Sequence, residues 1–236
     1  MNLRNLKKIT RNDLKGYYLY PIKILTVIFT LKELYMFGSI NLDNADSESK
    51  DGKKDAQGLQ NEILDSRTIV ISEEVSPELA KKVFTQLVIL NNRSEKDPIF
   101  VYVNSPGGCA DSGFAIYDML RYFKAPIITV CSGLCASAAV MIFLGCDKGK
   151  NYSLPNSRFL LHQPSTGIRG SASDIEITAS EINKIRDRYD GVVSEVTGKT
   201  VKQVSDDADR DFWMSAQEAK KYGLVNKVIT SIDQVK

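Results

Sequence analysis

The sequence predicts an α/β fold whose sheet is largely parallel. Three observations carry this. From Thr68 onward, short β-branched or apolar runs alternate with stretches of helical periodicity. Ile99–Val103 is a continuous apolar run, the pattern of a strand buried on both faces. A third run, Ile127–Val130, passes through small residues into a helical apolar run, Val140–Leu144, which is a strand-to-helix junction of the kind such folds use for their sites.

Each element has a local cause. Thr68–Ile71 is β-branched and reads as a strand. Ser76-Pro77 supplies an N-cap and an N1 proline, and Leu79, Val83, Leu87 and Leu90 follow at helical spacing. The Ile99–Val103 strand ends in Asn104-Ser105-Pro106-Gly107-Gly108, a turn whose glycines permit positive φ and close backbone approach. A helix over Asp111–Tyr122 comes next, then the junction at 131–139, then a strand Phe159–Leu161 that runs straight into His162. Ser165–Ser171 carries Gly167 and Gly170 and reads as a glycine-weakened strand. Ser173–Glu176 is a capping-box pattern opening a long helix, with Ile175, Ile182, Ile185, Tyr189, Val192 and Val196 as apolar positions and Gly198 as the stop. Two further boxes, Thr200–Gln203 and Ser215–Glu218, open short helices to about Ala208 and Gly223. There are no internal repeats.

With 236 residues, 43% of them hydrophobic, the chain suits one globular domain, here 59–236, plus extra sequence. A net charge of +2 gives no general case for nucleic acid. Residues 1–40 carry seven Lys/Arg against two acids, so the remaining 24 basic and 27 acidic residues leave the body mildly acidic. Within that basic segment Ile24–Leu31 is too short to span a bilayer, and no small-residue cleavage site follows. Residues 1–40 read as a leader, a surface helix, a removed propeptide or sequence before a true start at Met36. Residues 41–58 are polar and read as a flexible linker. Cys109, Cys131, Cys135 and Cys146 lack CxxC spacing and histidine neighbours, which argues against zinc and for buried free thiols in a reducing compartment.

The chemistry centres on Ser137, at the N-terminus of the Val140–Leu144 helix. Free N–H groups and the positive end of the helix dipole gather there, which suits a developing oxyanion. A lone serine at such a position is most often an N-cap. A serine nucleophile needs a base and the base needs an orienter. His162 is the only histidine, and it stands at the C-terminal end of a strand. Asp174, Asp206, Asp207, Asp209 and Asp211 are all open as the orienting acid.

Leu154-Pro155-Asn156-Ser157-Arg158, followed by His162-Gln163-Pro164, resembles the histidine motif of ClpP, the proteolytic-subunit family of the caseinolytic (Clp) protease. Asn104–Gly108, the Gly-x-x-Ala-Ser box at Gly133–Ser137, and Arg210-Asp211 match the same family in order and spacing, with His162 25 positions after Ser137 and Asp211 49 positions after His162. The resemblance runs from about Leu59 to Ile232. It implies a serine endopeptidase with Ser137 as nucleophile, His162 as base and then acid, and Asp211 as orienter. Gly108 and Ala138 would donate oxyanion N–H groups, and the family's usual methionine at 138 can be alanine because the donor is backbone. Gly108, Cys109, Ala110, Ser165 and Thr166 would hold a peptide as an added strand.

The resemblance also implies a crotonase-like α/β spiral with a strand–helix handle at about 165–197. Two heptameric rings would stack into a tetradecamer, with Asp209 and Arg210 meeting their counterparts between rings. A hexameric AAA+ unfoldase would feed unfolded polypeptide, docking at Phe100, Tyr102, Tyr122, Leu154 and Ile229. ATP would serve the unfoldase alone, and this chain would need no metal or cofactor. The expected location is cytoplasmic, with no nucleic-acid or membrane partner. Segment 41–58 is polar where the family has an axial loop with an apolar anchor, and Ser132 stands at a family apolar position. A mixed ring with a more typical paralogue fits these departures. The alternatives are a structural or poorly active ring subunit, an acyl-CoA enzyme on the same spiral, and a membrane-anchored Ser/Lys peptidase.

Overall fold

The computed structural model describes residues 50–235. Helix α1 (Lys50–Asp65) opens them, so residues 50–58, expected to be flexible, are helical instead. The reason is local: the polar segment runs without a break into Leu59-Gln-Asn-Glu-Ile-Leu-Asp, and Leu59 and Ile63 stand at helical spacing. The readings placed on residues 1–49 lie outside the described residues.

Strand β1 (Thr68–Ile71) leads to α2 (Pro77–Arg93), whose Ser76 cap accepts the Leu79 N–H at 3.1 Å. Leu79, Val83, Leu87 and Leu90 form its buried stripe, as the spacing predicts. The far end of α2 is closed by Arg67. Its guanidinium donates to the carbonyls of Leu90 (2.9 Å), Ser94 (3.0 Å), Asp97 (2.8 Å) and Pro98 (3.2 Å), so helix-terminal oxygens are satisfied by a side chain.

Strand β2 (Ile99–Ser105), helix α3 (Ala110–Tyr122), strand β3 (Ile127–Ala136) and helix α4 (Ala138–Leu144) follow. After them come β4 (Asn151–Ser153), β5 (Arg158–Leu161), α5 (Ala172–Thr197), α6 (Val201–Asp207), β6 (Phe212–Ser215), α7 (Ala216–Tyr222) and β7 (Lys227–Val228). A 3-10 turn, Ile232–Gln234, is last. The sheet runs β1-β2-β3-β4-β7, all parallel. β3 is long enough to serve two neighbours. Thr129–Cys131 pair with β4, and Leu134–Ala136 pair with β5. β6 joins β5 antiparallel, with Leu161 opposite Phe212. The α/β fold with largely parallel pairing is therefore present, with that one antiparallel pair added.

Most apolar side chains form one core between the sheet and its helices, including Ile69, Val101, Val103, Leu87, Ile142, Phe143 and Phe159. A small second cluster of Ile128, Val130, Tyr152 and Ile229 covers the other face, with Phe100 and Tyr102 packed on it. This corrects the reading of Ile99–Val103 as buried on both faces: Phe100 and Tyr102 are only half-buried. It also corrects Ile229, whose side chain forms the floor of that cluster and offers no free surface.

Two assignments differ from expectation. Ser165–Ser171 is not a strand; among the described residues it has no ladder partner, and a glycine-containing segment cannot hold an extended form alone. Helix α5 begins at Ala172, because Ser171 is the cap and Asp174 its N3 partner, two residues before the predicted box. The boxes Thr200/Gln203 and Ser215/Glu218 form as predicted. Among the described residues no helix is long and apolar enough to cross a membrane.

Candidate active site

Ser137 sits between β3 and α4 with φ 55° and ψ −127°, a conformation non-glycine residues rarely adopt. The turn is held from both sides. The Ser137 N–H donates to the Leu160 carbonyl of β5 (2.9 Å), and its carbonyl accepts from the Val140 N–H (2.9 Å). The Ser137 hydroxyl makes no capping bond to α4, which removes the N-cap explanation for this serine. Ala138 is the first residue of α4, so its N–H has no intrahelical acceptor.

The turn after β2 packs directly on this elbow. Ser105 Oγ donates to the Glu73 carbonyl (2.6 Å) and accepts from the Gly107 N–H (3.2 Å). Gly107 has φ +91°. A Cβ there would lie 2.6 Å from the Ala136 carbonyl oxygen and 2.7 Å from Ser137 Cβ. Only glycine brings the two backbones this close. Val75 pairs with Gly108 through the bonds Val75 N–H to Gly107 O (2.7 Å) and Cys109 N–H to Val75 O (2.8 Å), which flank Gly108 and leave its own N–H out of the bridge.

His162 follows β5 directly. Gln163 ties this strand end to the segment after α6: its N–H donates to the Ala208 carbonyl (3.0 Å) and its Nε2 to the Asp209 carbonyl (2.9 Å). That anchor brings His162 Nδ1 to 3.5 Å from Asp211 Oδ1. Three of the other four candidate acids are engaged elsewhere, and Asp209 is exposed. Asp174 accepts from Ser171 Oγ (2.6 Å), Asp206 pairs with Lys202 (2.6 Å), and Asp207 accepts from the Tyr222 hydroxyl (2.8 Å). The His162–Asp211 contact is long for a hydrogen bond, and the Asp211 side chain is 65% exposed. Among the described residues no hydrogen bond joins Ser137 Oγ to His162. Catalytic hydrogen bonds are commonly loose without substrate.

Ser137, Ala138 and His162 line one cleft of about 630 Å³, and Gly108, Cys109, Ala110, Ser165 and Thr166 line it too. Asp209 and Arg210 lie on the surface beside Asp211, without an ion-pair partner among the described residues. Tyr122 is 82% exposed, and Leu154 is also exposed. Cys109 is an exposed thiol in the cleft, which corrects its reading as buried. Cys131 and Cys135 are buried in β3 behind the serine. Burial pushes the Cys135 thiol well up, while its hydrogen bond to Cys131 holds the latter below the ordinary value. Among the described residues no three His, Cys, Asp or Glu side chains converge as metal ligands. A second cavity of similar volume, beside the Arg121–Glu195 pair, holds no serine or histidine.

Sequence reasoning missed Glu74, Phe114 and Met141, which line the cleft, and the role of Tyr189. The Tyr189 hydroxyl reaches the Ser137 carbonyl at 3.4 Å. Tyr189 entered only as an apolar helical position, and nothing in the local pattern marks its hydroxyl.

The family model described as Clp protease matches residues 51–232. The ATP-dependent Clp protease proteolytic subunit 2 of Treponema denticola is 41% identical over 79% of this chain and 94% of its own length. The subunit 3 of Rhizobium meliloti is 47% identical over 73% and 88%, and the subunit 2 of Pseudomonas aeruginosa 45% over 80% and 92%. A solved structure of a ClpP1 mutant from Listeria monocytogenes superposes with a TM-score of 0.70 at 40% identity, over 75% of this chain and 99% of that one. These matches confirm the ClpP-type α/β fold, and the chain belongs to the Clp protease family as a serine peptidase of the proteolytic-subunit type.

Proposed function

We propose that this chain hydrolyses peptide bonds in unfolded polypeptide through Ser137, His162 and Asp211. The observation that carries the reading is the direction of His162: Nδ1 faces Asp211, which leaves Nε2 for the serine lining the same cleft. Ser137 Oγ attacks the scissile carbonyl carbon and its proton passes to His162 Nε2. The carbonyl oxygen becomes an oxyanion, stabilised by the N–H groups of Gly108 and Ala138. The C–N bond breaks, His162 gives its proton to the departing amine, and an acyl-enzyme remains. Water then attacks, loses a proton to His162, and the acid leaves as Ser137 Oγ takes that proton back. Asp211 holds the imidazole in the productive tautomer and stabilises the imidazolium. Gly108–Ala110 and Ser165–Thr166 hold the substrate backbone. Nothing in this sequence of steps calls for a metal, a cofactor or ATP on this chain.

The same reading gives stacked heptameric rings joined through Asp209 and Arg210, and a cytoplasmic particle fed by a hexameric AAA+ unfoldase. Phe100, Tyr102, Tyr122 and Leu154 are the accessible apolar groups for docking, with Ile229 behind them. A second reading, a poorly active subunit completed by a paralogue, is favoured by the 3.5 Å His162–Asp211 spacing and the exposed Asp211 of the single chain. The relatives' names also number them as subunits 2 and 3. The test is labelling with a fluorophosphonate, followed by peptide mass mapping. The peptidase reading expects one adduct, on Ser137, that does not form when the protein is denatured before labelling. No adduct in the pure particle, with labelling only after a paralogue is added, supports the second reading.

A further inference from the structure

Tyr189 lies on α5, 52 residues after Ser137, and is 5% exposed. A buried phenol needs a partner for its O–H. Among the described residues the recorded partner is the Ser137 carbonyl oxygen. We infer that Tyr189 is a positioning residue for the oxyanion hole: its hydroxyl donates to the Ser137 carbonyl and so fixes the peptide plane whose other end is the Ala138 N–H. The inference rests on the reading of Ser137 as nucleophile and Ala138 as oxyanion donor.

The physical link is short. The Ser137 C=O and the Ala138 N–H belong to one planar amide, so a rotation of the carbonyl swings the N–H by the same angle. Ser137 already holds an unusual backbone conformation, with φ 55° and ψ −127°, and such a residue stays put only where its surroundings over-determine it. Three restraints do so. The Val140 N–H donates to the same oxygen at 2.9 Å, the Gly107 turn lies so near Ala136, Ser137 and Ala138 that no Cβ would fit between them, and Tyr189 supplies the third. Donation to the carbonyl also polarises the amide and makes its N–H a better donor. At 3.4 Å the bond is longer than the usual separation of about 2.8 Å, so it has room to tighten when charge develops on the substrate. Tyr189 also lines the cleft. Burial pushes the phenol well above its ordinary pKa, which keeps it a donor across the working pH range.

The experiment compares wild type, Tyr189→Phe, Tyr189→Leu and Ser137→Ala as full-length particles of verified mass. Tyr189→Phe keeps the ring and removes only the donor. Its kcat should fall about tenfold, a fraction of the roughly 10²–10³ lost with a whole oxyanion donor, with KM within about twofold. Affinity for a peptidyl trifluoromethyl ketone, whose adduct carries an oxyanion, should fall by the same factor as kcat/KM. Affinity for a non-reactive peptide of the same sequence should not change. Tyr189→Leu should add a loss of thermal stability that Tyr189→Phe lacks. Wild-type kcat and ketone affinity in Tyr189→Phe would overturn the inference, as would a loss confined to KM or to melting temperature. If Ser137→Ala is inactive in that case, the catalytic reading still stands. Retained turnover in Ser137→Ala would overturn the catalytic reading and this inference with it.

Discussion

Replacing Gly107 with alanine should lower turnover by about 30- to 100-fold although no residue of the proposed triad is substituted. Gly107 has φ +91°, where an L-residue costs about 1–2 kcal/mol. The added Cβ would stand 2.6 Å from the Ala136 carbonyl oxygen, 2.7 Å from Ser137 Cβ and 3.0 Å from Ala138 N. Ordinary contact begins at 3.4 Å, so the Gly107 turn and the serine elbow must part by about 0.8 Å. The atoms in the way are backbone or the nucleophile's own Cβ, and no flexible side chain can yield. A displacement near 1 Å at a reacting group costs on the order of 100-fold, which sets the range above. Stability should fall by about 2–4 kcal/mol from strain and overpacking together. Gly149→Ala is the control. It has φ +76° with nothing within 4 Å of a new Cβ, so it carries the backbone strain without the collision. Steady-state kinetics on a fluorogenic peptide, with denaturant unfolding of the same samples, separates the two. Wild-type kcat in folded Gly107→Ala, or an equal kcat loss in Gly149→Ala, would refute the close-approach argument.

Two further outcomes follow from charge. Arg210→Ala should give separated rings with little activity in analytical ultracentrifugation and a peptide assay, because the exposed Asp209–Arg210 pair finds no partner among the described residues and adjoins Asp211; fully active, intact particles would make it ordinary surface charge. Asp190 is 2% exposed, and burial raises its carboxyl pKa although Arg186 stands 3.8 Å away. The native state therefore keeps this proton to higher pH than the unfolded chain does, and its contribution to stability falls as pH rises from the unfolded value of about 3.9 through the raised folded one. Asp190→Asn should melt above wild type at pH 7 and converge with it near pH 4 in thermal scans; parallel curves at all pH values would contradict this.

Much of the fold was legible because its causes are local. Leu79, Val83, Leu87 and Leu90 bury one stripe, and two capping boxes start helices where their residues stand. What could not be read depends on partners distant in sequence. Asn151–Ser153 is a strand because Thr129–Cys131 offers it a ladder, not because three residues have a pattern. Phe212–Ser215 pairs with β5 in the same way. The cap at Ser171 competes with the nearby Ser173, and only the Asp174 carboxylate decides between them. At the site, five aspartates were equivalent by spacing, and the Gln163 bonds to Ala208 and Asp209 are what bring Asp211 to His162. The family resemblance named Asp211; periodicity alone could not.

The central claim is that Ser137 is the nucleophile, and its most direct test is turnover by Ser137→Ala in particles of verified mass. A triad nucleophile is worth on the order of 10⁶ in turnover, so peptide hydrolysis should drop to background while assembly and melting temperature remain those of the wild type. Near-normal hydrolysis by a purified Ser137→Ala particle would contradict the account.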